Sequence, residues 1–201
     1  MASPARVDNA ISLVEFLRLP EIDEHPYLEY IDGRIEAKVS PQGKHSSIEG
    51  KLVAHLSTYA EPRGLGDAFP ELRCTFAGRS MIPDVVFLLE EHIETDERGE
   101  ILDPILRPPD IHVEIVSPDQ SVRKCREKLV FSTANGCRLG WLIDPRRKIV
   151  DVYRPGRPSE RLPAEGVLKG APVLPRYGLP VVKLFGWLVR RKPNLPPKKG
   201  P

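Results

Sequence analysis

The chain has 201 residues, of which 40% are hydrophobic and 29% charged, with a formal net charge of +2. This composition is typical of a soluble domain with a substantial core, and the small net charge gives no argument for a nucleic-acid partner. No apolar stretch approaches the roughly 20 residues that cross a bilayer, and residues 1–10 lack the apolar centre of a signal peptide. We therefore expect no membrane partner and a cytoplasmic protein.

In the first part of the chain, cap and turn residues delimit a helix, a hairpin and a second helix. A short helix capped by Asp8 or Asn9 is expected over 11–19, before a proline. The stretch YLEYIDGRIEAKV at 27–39 predicts a hairpin around its central Asp-Gly turn. Apolar residues then recur at intervals of four, four and three over 45–60, which predicts an amphipathic helix.

The rest of the chain alternates between apolar runs and one further helical stripe. The expected elements are strands at 71–77, 84–89 and 111–116, a helix from 122 to Gly136, and strands at 138–144 and 148–154. The polar, proline-bearing segment at 90–110 is interpreted as a long excursion at the sheet edge.

This order of elements predicts an α/β or α+β fold, with one mixed sheet and helices packed on it. We expect a single domain over residues 1–190. The tail at 191–201 is rich in proline and positive charge and is expected to be disordered. The three cysteines, Cys74, Cys125 and Cys137, are odd in number and lack metal-ligand spacing, so reduced thiols are expected.

Two neighbouring strand candidates each carry one acidic residue among residues that ought to be buried. Asp84 begins the run DVVFLL, and Glu114 lies in the middle of IHVEIV. An unpaired buried carboxylate costs several kcal/mol, and two that converge repel each other unless a cation bridges them. A divalent ion bound by both, with the carbonyl of Ile115 as a further ligand, is one interpretation. The alternative is that Asp84 caps a turn and Glu114 pairs with a buried Arg73.

The predicted helix that follows the strand of Glu114 carries lysines that could pair with the two acids. With about 100° per residue, the apolar stripe leaves Lys128 on its border and turns Lys124 further towards solvent. The ammonium group of Lys128 could reach the two acids and balance the charge of a reacting phosphate. The alternative is a solvated lysine at the edge of the core.

These residues resemble the PD-(D/E)XK nuclease superfamily, and more closely the Uma-two family of restriction-endonuclease-like proteins. The resemblance rests on YLEYIDGRIEAKVSPQGKHSSIEGKL, FPELRCTFAGRSMIPDVV, VEIVSPD, REKLVFSTANG and WLIDPRRKIVDVYRP, which together cover most of residues 11–190. It implies an αβββαβ core in which Asp84 and Glu114 hold Mg²⁺ or Mn²⁺ for phosphodiester hydrolysis.

The chain departs from the superfamily pattern at one position. The pattern places a lysine two residues after the glutamate, where this chain has Val116. The resemblance implies that Lys128 of REKLVF takes this role from the next helix. It also implies a glutamate from the first core helix, for which Glu49 is the candidate. Four further residues receive no firm role: Glu29, His45, Glu71 and His112.

The sequence therefore predicts a divalent-metal-dependent endodeoxyribonuclease that acts on DNA. The alternative from another class is a catalytically inactive nucleic-acid-binding or interaction module, which the Val116 departure motivates. RNA or a structured junction would fit the same residues, and no base-reading motif is present. Oligomeric state is not readable from the sequence, although many nucleases that cut both strands are homodimers.

Overall fold

The structure, a computed structural model, describes residues 11–118 and 120–190. The described helices are α1 (Leu13–Phe16), α2 (Gly43–Ala60), α3 (Val122–Ala134) and α4 (Val181–Gly186). The first six described strands are β1 (Leu28–Ile31), β2 (Arg34–Ala37), β3 (Gly66–Pro70), β4 (Cys74–Phe76), β5 (Arg79–Met81) and β6 (Val85–Leu89). The other six are β7 (Ile111–Ile115), β8 (Leu139–Asp144), β9 (Ile149–Tyr153), β10 (Glu160–Leu162), β11 (Val167–Lys169) and β12 (Gly178–Pro180).

A central sheet of six strands carries the fold, in the order β10-β9-β8-β7-β6-β3. Strands β7 and β8 are parallel and are joined by the crossover helix α3, whereas the other neighbouring pairs are antiparallel. The succession α2-β3-β6-β7-α3-β8 is the expected αβββαβ core, and the mixed α+β fold class is confirmed. A second sheet, in the order β2-β1-β5-β4, contains the N-terminal hairpin.

Helices cover both faces of the central sheet. On one face Ile48, Leu52 and Leu56 of α2 are completely buried in the same core cluster as Val113 and Trp141. On the other face α3 buries Cys125 and Leu129 in a cluster with Leu142 and Tyr153. Since successive side chains of a strand point to opposite faces, His112 and Glu114 of β7 lie on the face opposite Ile111, Val113 and Ile115.

Several predicted elements are confirmed by the structure. The hairpin forms, and its turn residues Asp32 and Gly33 have the positive φ values of 51° and 79° that an Asp-Gly turn requires. The helices expected at 45–60 and from 122 are α2 and α3. None of the described helices is long and apolar enough to span a bilayer.

Other predictions need correction. The cap of α1 is Ser12, which forms a reciprocal capping box with Glu15; Asp8, Asn9 and the tail at 191–201 lie outside the described residues. The predicted strand at 71–77 belongs to the second sheet as β4, and the central sheet instead uses β3, which the sequence pattern missed. The excursion at 90–110 joins β6 to β7, which are adjacent inner strands and not the sheet edge.

The three cysteines are free and buried, as expected for reduced thiols. Burial raises the pKa of Cys74 and of Cys137 to about 12, which keeps both thiols protonated at neutral pH. Burial raises the pKa of Cys125 as well, so none of the three thiols is an activated nucleophile.

Candidate active site

Strand pairing brings the two predicted acids to the same end of the central sheet. Val85 of β6 pairs with Val113 of β7, and the N–H of Asp84 donates to the carbonyl of Val113 at 3.1 Å. Asp84 directly precedes β6 and Glu114 directly follows Val113 in β7, so the two acids lie at the same end of this strand pair. The predicted pairing of these two strand segments is confirmed.

Asp84 is only 1% exposed, and both of its oxygens have partners. Oδ1 lies 2.8 Å from the Nζ atom of Lys38. Oδ2 accepts a hydrogen bond from the N–H of Ile115 at 2.6 Å and lies 3.1 Å from Nε2 of His45. Asp84 therefore links the N-terminal turn of α2, the segment after β2 and the end of β7.

Glu114 is completely buried, and its two oxygens have different surroundings. Oε1 lies 2.7 Å from Nζ of Lys128 and 2.8 Å from Nε2 of His112. His112 Nδ1 is 2.7 Å from the hydroxyl of Ser132, so a ring protonated on Nε2 donates to Glu114 and accepts from Ser132. Oε2 is buried and finds no hydrogen-bond partner among the described residues.

Two lysines separate the carboxylates from solvent. Lys128, which is 6% exposed, also lies 2.9 Å from Oε1 of Glu29, and the N–H of Ile82 donates to that same oxygen at 2.7 Å. Lys38 is held by the carbonyl of Ile82 at 2.8 Å, in addition to Asp84. Lys128 thus points inward to the acids, and Lys124, with a side chain 54% exposed, pairs with Glu36 instead.

The ion pairs shift the pKa values of these buried groups further than burial shifts them in the opposite direction. Burial alone would raise the pKa of Asp84, but Lys38 and His45 hold it well below its ordinary value near 3.8. Burial would likewise raise the pKa of Glu114, and Lys128 and His112 hold it below 4.5. Burial opposes the charge on Lys128, yet Glu114 and Glu29 raise its pKa above 10.5. Both acids are therefore anions and Lys128 is a cation at neutral pH.

Arg73 is not the partner of Glu114. Its guanidinium group pairs with Asp23 at 2.9 Å and donates to the carbonyls of Ile22 and Leu28. Arg73 therefore holds the segment before β1 against the start of β4. The buried glutamate is balanced by Lys128 and His112 instead.

His45 and Glu49 join the cluster from the first turns of α2. His45 Nδ1 is 3.5 Å from Oε2 of Glu49, one helical turn further on, and both residues are buried. Burial lowers the pKa of His45, but the contacts to Asp84 and Glu49 outweigh it and raise the pKa from 6.5 to about 9. His45 is therefore charged at neutral pH.

This shift predicts a pH-dependent stability. Because the pKa of His45 is higher in the folded than in the unfolded chain, its stabilisation is complete below about pH 6.5 and is lost as the pH rises through about 9. Over that interval we expect the free energy of unfolding of the wild type to fall by roughly 3 kcal/mol more than that of His45→Gln. Urea denaturation in EDTA at several pH values measures the difference. Identical pH profiles of the two proteins would contradict the assignment.

The donor chemistry of the cluster fits a divalent cation. With His45 counted as charged, five acidic side chains of the cluster face three cationic ones, so its formal charge is −2. The acidic residues are Glu29, Glu49, Glu71, Asp84 and Glu114, and the cationic ones are Lys38, His45 and Lys128. The unpartnered Oε2 of Glu114 is the kind of oxygen that a hard cation takes. Within 11–118 and 120–190, no three His, Cys, Asp or Glu residues form a ready metal cage. The available donors are therefore two carboxylates, with main-chain and water oxygens to complete the coordination shell. Such a donor set is typical of Mg²⁺.

A cleft of about 720 Å³ leads to this cluster. One wall is the β1–β2 hairpin, and the other is the first two turns of α3 with the residues just before it. Lys38, Lys128 and Glu29 reach the cleft, whereas Asp84 and Glu114 lie behind them. Six basic and four acidic side chains line it, with Arg34, Arg79, Arg123 and Lys124 joining the two lysines. The lining alone therefore carries a formal charge of +2, which favours an anion such as a phosphate backbone, although three of its basic side chains pair with Asp32, Glu36 and Glu127 of the same lining.

Sequence reasoning placed Asp84, Glu114 and Lys128 together, and the structure brings these three side chains into one cluster. It gave no role to Glu29 and did not single out Lys38, the direct partner of Asp84. No local pattern marks Lys38, because it follows an exposed strand of a hairpin like many solvated lysines. Ile115 contributes its N–H to Asp84, and a metal-ligating role for its carbonyl remains a prediction, as does such a role for Glu49.

Comparisons with known proteins relate the chain to a protein family and to a solved structure. The Uma2 family model, described as "Putative restriction endonuclease", matches residues 13–182. A crystal structure of "a putative nuclease belonging to DUF820" from Anabaena variabilis is 38% identical in sequence, with a TM-score of 0.85. The match covers 89% of this chain and 99% of that one. No protein with a curated functional description matches the chain.

Proposed function

The chain belongs to the Uma2 family of restriction-endonuclease-like nucleases, and we propose that it is a divalent-metal-dependent endodeoxyribonuclease. The observation that carries this proposal is the pair of nearby buried carboxylates, Asp84 and Glu114, directly behind two lysines that line a cleft. One oxygen of Glu114 has no partner among the described residues, and the formal charge of the cluster leaves two negative charges for a dication.

In this proposal Asp84 and Glu114 hold Mg²⁺ or Mn²⁺, with the carbonyl of Ile115 and Glu49 as further candidate ligands. A bound dication polarises the phosphate and lowers the pKa of a coordinated water. His112 and Ser132 orient Glu114, because their hydrogen bonds fix its Oε1 and leave Oε2 available. His45 and the N–H of Ile115 similarly fix one oxygen of Asp84.

Lys128 is the proposed group for charge stabilisation. An ammonium group has three N–H donors, and two of those on Lys128 are directed at Glu114 and Glu29. The third is available on the cleft side for a non-bridging phosphate oxygen, where negative charge develops during hydrolysis. Val116 cannot supply such a donor.

The test is a cleavage assay. Purified protein is incubated with supercoiled plasmid, single-stranded DNA or RNA, in Mg²⁺, Mn²⁺ or EDTA. We expect metal-dependent cutting of DNA that is absent in EDTA and abolished in Asp84→Ala, since that variant lacks one of the two carboxylates. Preferential cutting of RNA would replace DNA as the substrate, and cutting that Asp84→Ala leaves unchanged would contradict the proposed site.

A second candidate is a nucleic-acid-binding module without catalytic activity. The observation in its favour is that each carboxylate already has an ammonium partner within 2.8 Å. DNA binding in a filter or gel-shift assay, without cutting under any metal condition, is the result that supports this candidate over the nuclease.

A further inference from the structure

We propose that Lys38 is a built-in competitor for the metal at Asp84: its ammonium group occupies the oxygen that a divalent cation needs, and metal binds when this ion pair opens. The inference rests on the proposed function and adds that Lys38 regulates the metal affinity of the same site. Lys38 is a positioning residue in this scheme, because it acts through Asp84.

The contacts of Asp84 leave one oxygen for a metal. Oδ2 accepts from the N–H of Ile115 and contacts His45. Neither partner can withdraw easily, since the first is main chain at the end of β7 and the second is a buried residue of α2. Oδ1 has Lys38 as its ion-pair partner at 2.8 Å. A cation that coordinates Asp84 on the Glu114 side therefore meets the ammonium group of Lys38.

Lys128 does not compete in the same way. It contacts Oε1 of Glu114, which His112 also contacts, and the other oxygen has no partner among the described residues. Glu114 can thus accept a cation on an oxygen that no ammonium group contacts, whereas a cation on Oδ1 of Asp84 would lie beside the ammonium group of Lys38 and be repelled by it. The two lysines at the floor of the cleft consequently have different roles.

The ammonium group of Lys38 already has three acceptor oxygens around it. Its Nζ lies 2.8 Å from Asp84, 2.8 Å from the carbonyl of Ile82 and 3.5 Å from Oε1 of Glu71. With three N–H groups and three acceptors, Lys38 has no donor to spare for a phosphate, in contrast to Lys128. This argues against Lys38 as a substitute for the lysine missing at position 116.

Glu71 provides a second position for the displaced ammonium group. Its side chain is 23% exposed and lies within ion-pair distance of Lys38. Its N–H donates to the carbonyl of Asp84 at 3.2 Å, which keeps it beside the site. Lys38 can therefore move from Asp84 towards Glu71 without leaving the cluster, so its charge stays balanced when a dication binds.

Calorimetric titration with Mn²⁺ tests the inference. We expect Lys38→Met, which keeps an unbranched side chain one atom shorter and removes its charge, to bind Mn²⁺ roughly tenfold more tightly than the wild type, or better. Lys124→Met is the matched control, because Lys124 lines the same cleft but pairs with Glu36. Lys38→Gln retains a donor for the carbonyl of Ile82 and provides the measurement if Lys38→Met does not fold.

Unchanged or weaker Mn²⁺ binding by the folded Lys38 variants would overturn the inference, as would an equal gain in Lys124→Met, which would indicate a general effect of charge. Adding Asp84→Asn to Lys38→Met must abolish the gain, since the competition takes place at Asp84. Tighter Mn²⁺ binding by Lys38→Met, together with no DNA cleavage by the wild type in any metal, would support the inference and contradict the nuclease proposal. The two failures are therefore distinguishable.

Discussion

The Glu114→Gln variant is expected to cut DNA at least about a thousandfold more slowly than the wild type in Mg²⁺ or Mn²⁺, a loss of about 4 kcal/mol of transition-state stabilisation. The amide has nearly the shape of the carboxylate, and its oxygen can still accept from His112 and Lys128. It places an NH₂ group where the unpartnered Oε2 of Glu114 lies, and an NH₂ group repels a cation.

Initial rates of plasmid nicking measure this effect, with circular dichroism and thermal denaturation to establish that the variant folds. Glu36→Gln is the matched control, because Glu36 lines the cleft but lies outside the buried cluster and pairs with Lys124. Its rate should stay within a few-fold of the wild type. A folded Glu114→Gln variant that retains wild-type cleavage would remove Glu114 from the reaction.

The second large effect is expected at Lys128. Replacing it with methionine should lower the turnover number by about a hundredfold to a thousandfold, the usual cost of losing one donor aimed at developing negative charge. Mn²⁺ affinity should change far less, because the oxygen of Glu114 next to Lys128 is not the one left for the metal. Steady-state kinetics give the turnover number, and calorimetry gives the affinity.

Lys124→Met again serves as the control, since it lies one turn earlier in α3 and its side chain is 54% exposed. Removing Lys128 leaves Glu29 and Glu114 buried without their shared cation, so the variant should also lose several kcal/mol of stability. Turnover is therefore compared below its melting temperature. A large loss of Mn²⁺ affinity with intact folding would contradict the assigned role.

The charges of the buried cluster are partly balanced by contacts within the cluster. Asp84, Glu114 and Glu29 each contact a lysine, and main-chain or histidine donors bind several of their oxygens, whereas Oε2 of Glu114 has no partner among the described residues. Breaking such a pair by removing one partner costs about 3–5 kcal/mol, whereas the intact pair contributes little to stability. These buried charges therefore contribute more to binding and chemistry than to the stability of the fold.

The elements next to the site were largely predictable from local patterns. The apolar period of α2, the Asp-Gly turn of the hairpin and the stripe of α3 are each contained in fewer than 20 residues. Strands β3 and β5 escaped prediction because β3 contains Gly66 and Pro70, and β5 is only three residues long. Their place in the sheets depends on pairing with distant strands, which a local period does not report.

The sequence by itself determined that Asp84 and Glu114 are acids in two successive apolar runs and that Lys128 lies at the border of a helical stripe. These properties follow from alternation along a strand and from the turn of a helix, which short segments already contain. Only the tertiary structure decided which charges meet. Lys38 and Glu29 reach the acids because the hairpin packs against the end of the central sheet, and His45 does so because α2 begins there. Long charged side chains follow no period, so their partners depend on how distant segments pack and on the need to neutralise each buried charge.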